Sequence, residues 1–418
     1  MNTQVVTLDV VLISTYELGH QPFGLASPAS WLRQAGMQVA TLDLAVQDFD
    51  EKLVAGADLI GFYLPMHTAT RLATAFLPRV HALNPAAHIC CYGLYAPVNE
   101  PLLRRLGADT VIGGEFEESL RSLALRLADE AARTAAGQPA GSLEPEGRQA
   151  LPLISLSRLD FQVPDRAGMP GLDSYAYLTM PDGERRVVGY TEATRGCKHL
   201  CRHCPIVPVY GGHFRVVQKP VVLADIDTQV AAGAQHITFG DPDFFNGPAH
   251  ALALICELHE RHPDISYDVI IKVEHLIKHA DDLHLLRDTG CVFVTSAVES
   301  VNDQILEYFD KRHTREEFIR VAAMFRELGL GLNPTFVTFT PWTTPEIYLD
   351  LLRLIAEQGL IGNIAPIQYA IRLLIPSGSR LMELPEVQQL VEPFNEEALA
   401  YPWVHPDPEV DRLFHDVM

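Results

Sequence analysis

Cys197, Cys201 and Cys204 fall within the stretch "TRGCKHLCRHCP", residues 194–205, after a glycine and before a proline. Thiols this close serve disulfides, zinc or iron–sulfur chemistry. Disulfides fit poorly: there are seven cysteines in 418 residues, and the chain starts without a basic-then-apolar leader. Zinc takes four ligands, and His199 or His203 could complete the set. Structural zinc sites, however, usually come as two pairs split by a longer loop, and no second pair follows. An ordinary 4Fe–4S cluster takes four thiolates, so three spaced C-x3-C-x2-C leave one iron open for a substrate or cofactor. Cys90, Cys91, Cys256 and Cys291 lie in apolar or helical contexts and read as core residues.

Further candidates stand where predicted strands give way to loops. "FGDPDFF" offers Gly240, where backbone can approach a ligand closely, and Asp241 and Asp243 as acceptors for an ammonium group. "IIKVEH" places Lys272 and Glu274 on one side of an extended segment, as catalytic groups or as a structural ion pair. "SAVES" carries Ser296 and Glu299, "TPWTTPE" carries Trp342, and "RLLIPSGSRL" carries Arg372, Ile375 and Pro376.

The elements that position these groups follow from the apolar pattern. In residues 1–125, "VVLIST", "VATLDL", "LIGFYLP", "HICCYGL" and "TVIGG" alternate with amphipathic stretches. This predicts a doubly wound, Rossmann-like parallel sheet with helices on both faces. Residues 126–186 read as a helix end, a linker rich in Ala, Gly, Pro and Glu, and a bridge with a hairpin at "MPDGERRV". Residues 187–385 resume the alternation with six strand candidates, "VVGYTEATRG", "HITFGD", "YDVIIKV", "VFVTSAVES", "LNPTFVTFT" and "IQYAIRLLIP", and residues 386–418 form an extension. Six strand–helix units predict an open, partial (β/α)6 barrel with its chemistry at the carboxyl ends of the strands. A formal charge of −21 argues against a partner held through its phosphates, so no nucleic acid is expected. No apolar run reaches eighteen residues, so no membrane span is expected, and a cytoplasmic location is the default.

The cysteine spacing, with His203 in the aromatic position before the last thiol, resembles the signature of the radical S-adenosylmethionine (SAM) superfamily. That resemblance implies a 4Fe–4S cluster on Cys197, Cys201 and Cys204 and SAM on the open iron. Cleavage of SAM would then give a 5′-deoxyadenosyl radical that acts on a small molecule. It further implies SAM contacts from His203 near adenine, from Gly240, Asp241 and Asp243 at the amino group, and from Ser296 and Glu299 at the ribose. Arg372 would meet the carboxylate, and Ile375 and Pro376 would flank adenine. A reductant such as flavodoxin or ferredoxin would supply the electron. "TVIGGEFEESL" and the sheet–linker–barrel layout resemble cobalamin-type members. In the loop "YELGHQPFGLA", however, His20 is present while Leu18 and Phe23 replace the Asp and Gly of the Asp-x-His-x-x-Gly signature, which counts against histidine-ligated cobalamin. "YELGHQPFGLASPASWL", "LPMHTATRL", "YGLYAP" and "NPTFVTFTPWTT" resemble a subgroup with a Cys-Cys-Ala-Glu-Pro or selenocysteine tail. The sequence closes at "RLFHDVM" without one. Relatives of that kind suggest specialised or organoarsenical metabolism. The alternatives are a cobalamin-dependent methyltransferase and a non-catalytic iron–sulfur or zinc scaffold.

Overall fold

The apolar runs near the start of the chain become strands β1 (Asp9–Ser14), β2 (Gln38–Asp43), β3 (Leu59–Tyr63), β4 (His88–Tyr92) and β5 (Thr110–Gly114) in a computed structural model. A short β6 (Ile154–Ser155) joins them. The structure describes residues 7–137 and 151–418, so most of the expected linker lies outside the described residues. The chain divides into two compact units, Met1–Tyr177 and Leu178–Met418.

In the first unit the strands are parallel in the order β2-β1-β3-β4-β5-β6. Alternation sets the two faces. Val10 and Leu12 pack with Leu25, Leu32, Leu120 and Leu123 on one side, while Val11 and Ile13 pack with Phe62, Leu77 and Val80 on the other. Cys90 and Cys91 lie back to back in these two cores, fully buried, and burial pushes both thiols up. This doubly wound order has its switch point between β1 and β3, where ligands bind beyond the strand ends. His20 lies in the tight turn after β1, with its N–H donating to Glu17 O at 2.9 Å.

The second unit opens with a hairpin of β7 (Tyr177–Thr179) and β8 (Arg185–Thr191), closed by a bond from Met180 N to Glu184 O at 2.8 Å. β9 (Thr194–Gly196) and β10 (Phe214–Val216) form a separate antiparallel ribbon. Then β11 (His236–Phe239), β12 (Ser266–Ile270), β13 (Cys291–Glu299) and β14 (Gly331–Phe336) continue from β8 in chain order, all parallel. Helices Lys219–Ala231, Pro248–Arg261, Arg315–Leu328 and Pro345–Glu357 follow the strands. Ile237, Phe239, Val269, Val294 and Val298 fill one face of the sheet at 0% exposure, while Thr238, Thr295, Asn333 and Thr335 alternate with their neighbours as half-buried residues on the other. At the start of β11 and β12, His236 bridges Ser266 and Asp268, each at 2.8 Å.

The sixth barrel position departs from expectation. Within "IQYAIRLLIP", Pro366–Ala370 forms a 3-10 turn, because proline cannot donate to a ladder. Pairing is reduced to Phe339, whose N–H donates to Ile371 O at 2.9 Å and whose carbonyl accepts from Leu373 N at 2.8 Å. Among the described residues no helix is long and apolar enough to cross a membrane.

Candidate functional site

Gly196 ends β9 at φ +73, a left-handed conformation that glycine adopts freely. A side chain there would strike the Tyr210 ring and the His213 carbonyl, so the turn into Cys197 requires glycine. The loop that follows is held from three places. Asn246, after β11, accepts from Lys198 N and donates to Gly196 O, each at 3.2 Å. Phe309, beyond β13, accepts from Arg202 N at 2.9 Å. From the end of "RLLIPSGSRL", Arg380 donates to Leu200 O at 2.6 Å and Ser379 donates to Arg202 O at 3.2 Å.

The three cysteines are free thiols; Cys197 and Cys201 are buried and Cys204 is half-buried as a residue. Burial pushes Cys197 up to about 11 and Cys204 up to about 12. Thiols this reluctant to ionise become ligands only with positive charge beside them, which a metal centre supplies. Three solvent-poor thiols within eight residues of one anchored loop could hold an iron–sulfur cluster. A mixed set also exists: ligand atoms of Cys197, His199 and Asp243 lie within 4.8 Å of one another. Asp243 is already engaged there, with Oδ2 2.6 Å from His275 Nδ1 and 3.4 Å from His199 Nε2.

Two groups of side chains flank the loop. On one side, burial would raise Asp243, but the His199 and His275 imidazoles beside it hold it below the ordinary carboxylate range. Burial, together with the Lys272 and His275 charges, lowers His199. Glu274 Oε2 lies 3.6 Å from His199 Nδ1 and 3.7 Å from Lys272 Nζ, and Lys272 Nζ reaches Cys201 Sγ at 3.7 Å. On the other side, His203 Nε2 lies 3.1 Å from Glu299 Oε1, and the His203 ring packs on Phe309 at 4.5 Å. Lys311 donates to the same Glu299 oxygen at 3.3 Å. Burial opposes ionisation of Glu299, yet Lys311 first and then His203 hold it down to about 2.

Several expected contacts take other forms. Ser296 is fully buried on the strand face of Val294 and Val298, opposite Thr295 and Ala297. Glu299 departs from that alternation because the register shifts after Ala297 and Glu299 itself takes φ +68. Asp241 accepts from Ala193 N at 2.9 Å and from Thr194 Oγ1 at 2.6 Å, tying β9 to the end of β11. Burial pushes it up to about 7. The close neighbour of Gly240 is the Tyr190 ring, which a side chain at 240 would overlap. Arg372 donates to Asp411 at 2.7 Å and stacks on Trp403 at 3.8 Å. Trp342 stacks on Tyr308 at 4.4 Å. Ile375 and Pro376 are buried just before the segment that grips the cysteine loop. Sequence reasoning does not single out Lys311 or Asn246: one lies in a loop and the other in the 3-10 turn Phe244–Asn246, where no periodicity marks them.

Residues 191–361 match the radical SAM superfamily. Two curated relatives are tRNA-2-methylthio-N(6)-dimethylallyladenosine synthases. That of Desulfosudis oleivorans is 26% identical over 215 residues, 49% of this chain and 45% of that protein. That of Paracoccus denitrificans is 24% identical over 241 residues, 53% and 51%. The chain thus spans about half the length of the curated relatives it matches. Among solved structures, the radical SAM methyltransferase TsrM from Kitasatospora setae, with cobalamin and a 4Fe–4S cluster bound, aligns at TM-score 0.63 and 17% identity, covering 84% of this chain and 71% of that one. The cobalamin-dependent radical enzyme OxsB aligns at TM-score 0.71 and 15% identity, covering 99% and 66%. These likenesses establish the fold: a doubly wound parallel sheet followed by a partial barrel.

Proposed function

We propose that this chain, whose residues 191–361 match the radical SAM superfamily, is an enzyme that holds a 4Fe–4S cluster on Cys197, Cys201 and Cys204 and cleaves SAM reductively to begin radical chemistry on a small molecule. The observation that carries the reading is one loop bearing three free thiols, gripped from three surrounding segments. When bound, the cluster supplies the electron and an open iron for SAM. The chain's own residues then have separable tasks. The thiols ligate, Asp243 offers acceptor oxygens for an ammonium group, and Glu299, kept ionised by Lys311, offers an acceptor for hydroxyls. Anaerobic reconstitution with iron, sulfide, SAM and dithionite, followed by product identification, tests this. Close to four irons and four sulfides, lost in each Cys→Ala variant, together with 5′-deoxyadenosine formation, is the expected result. Zinc without iron absorption, or intact SAM beside a reduced cluster, would overturn it.

A second reading, cobalamin-dependent methylation, draws support from TsrM and OxsB, both described with cobalamin. Corrinoid absorption in the reconstituted protein distinguishes it. Action on tRNA draws support from the names of the curated relatives. The charge of −21 weighs against it, since tRNA binding relies on Lys and Arg. Assays with tRNA and with small-molecule extracts separate the two.

A further inference from the structure

We propose that Lys272 sets the redox poise of the cysteine loop: its ammonium donates to the Cys201 sulfur and stabilises the negative charge that arrives when a cluster held there is reduced. The inference rests on the reading that the three thiols hold that cluster.

Lys272 follows β12 in extended conformation, φ −65 and ψ 146, and continues the strand face of Asp268 and Ile270. It is 6% exposed, an uncommon setting for lysine. Its Nζ lies 3.7 Å from Cys201 Sγ, within the range of a hydrogen bond to sulfur. Its carboxylate neighbour, Glu274, sits equally far at 3.7 Å, has a side chain 36% exposed, and shares the same oxygen with His199. A partner so placed is screened by water and neutralises little of the charge. Lys311 is the contrasting case. It is just as buried, but it meets Glu299, a buried carboxylate, at 3.3 Å. Lys311 therefore serves a carboxylate, while Lys272 serves a sulfur.

In a solvent-poor site a charge-assisted hydrogen bond keeps most of its strength. Hydrogen bonds to the sulfurs, local charge and exposure are the means by which a protein sets a cluster's potential. One ammonium on a ligating sulfur favours the reduced, more negative state. Lys272 is thus a positioning residue that eases electron entry, and it need not touch the substrate.

The test is an EPR-monitored redox titration of the full chain, reconstituted anaerobically without SAM, comparing the unaltered protein with Lys272→Met and Lys272→Arg. Methionine keeps the stem and removes the charge. The expected result is a tenfold or greater loss in the equilibrium constant for reduction, a downward shift of 59 mV per tenfold for one electron. Lys272→Arg should stay close to the unaltered protein. If Lys272→Met does not hold a cluster, Lys272→Gln, neutral but still a donor, carries the comparison and should also fall. A neutral variant with full iron and sulfide and an unchanged midpoint would overturn the inference. Failure of the unaltered protein to assemble a cluster would instead overturn the reading beneath it.

Discussion

Replacing Lys311 by methionine removes half of a buried ion pair and leaves Glu299 with His203 as its remaining partner. The pair's strength can be gauged from Glu299, which falls from its ordinary value of 4.5 to about 2 despite its burial. That lowering corresponds to about 3 kcal/mol favouring the ionised form in the folded chain. Burial alone acts in the opposite direction, so removal of the ammonium should cost about 3–5 kcal/mol, the range for breaking a buried pair from one side. The pH dependence has a definite sign. A carboxyl depressed on folding contributes stability above its unfolded value near 4.5, and that contribution is lost as pH falls toward 2. In Lys311→Met this acid-side loss should flatten, and the double variant Lys311→Met/Glu299→Gln should regain part of the stability because no orphaned charge remains. Urea unfolding of the apo protein at pH 7, 4 and 3 measures all three. A cost under about 1 kcal/mol for Lys311→Met at pH 7, with the acid limb unchanged, would refute the argument.

Gly196→Ala should cost about 1–2 kcal/mol for the left-handed backbone alone, with the Tyr210 clash added, and should lower iron uptake on reconstitution. Iron content equal to the unaltered protein would show that the loop tolerates the turn. Asp241 behaves oppositely to Glu299. Burial raises it from 3.8 to about 7, so its stabilising, protonated form is complete below pH 4 and is lost as pH rises through 7. Asp241→Asn should remove a loss of about 4 kcal/mol across that window, seen as a flatter stability profile between pH 4 and 7. A slope matching the unaltered protein counts against it.

Much of the fold was legible because buried parallel strands read as apolar runs. "VVLIST" through "TVIGG" became β1 to β5, and "MPDGE" closed the hairpin it suggested. The cysteine loop was legible because its chemistry depends on spacing within eight residues. What failed to show depends on contacts distant in sequence. Arg372 reads as a charged residue near a strand end, but its partner Asp411 lies 39 residues on. Glu299 follows a register shift and takes a left-handed conformation, neither of which the pattern of "SAVES" foretells. Lys311 sits between Asp310 and Arg312, both at positive φ, in a turn whose shape no apolar period foretells.

The cysteine motif marks where chemistry is to be expected, but the motif alone does not build the site. Its loop is fixed by Asn246 from beyond the second long parallel strand, by Phe309 from beyond the fourth, and by Ser379 and Arg380 from the segment after the reduced sixth pairing. The last of these lies 180 residues from the carbonyl it grips, outside the stretch 191–361 that matches the superfamily. A loop of three thiols, with Cys197 and Cys204 pushed toward their neutral forms by burial, has little local reason to hold one shape. Its shape comes from backbone carbonyls and amides bonded by groups that arrive only when the half-barrel has closed. A cluster held by this loop would therefore be linked to the folding of the second unit through the same hydrogen bonds, since a ligand that binds only the folded form stabilises it by mass action.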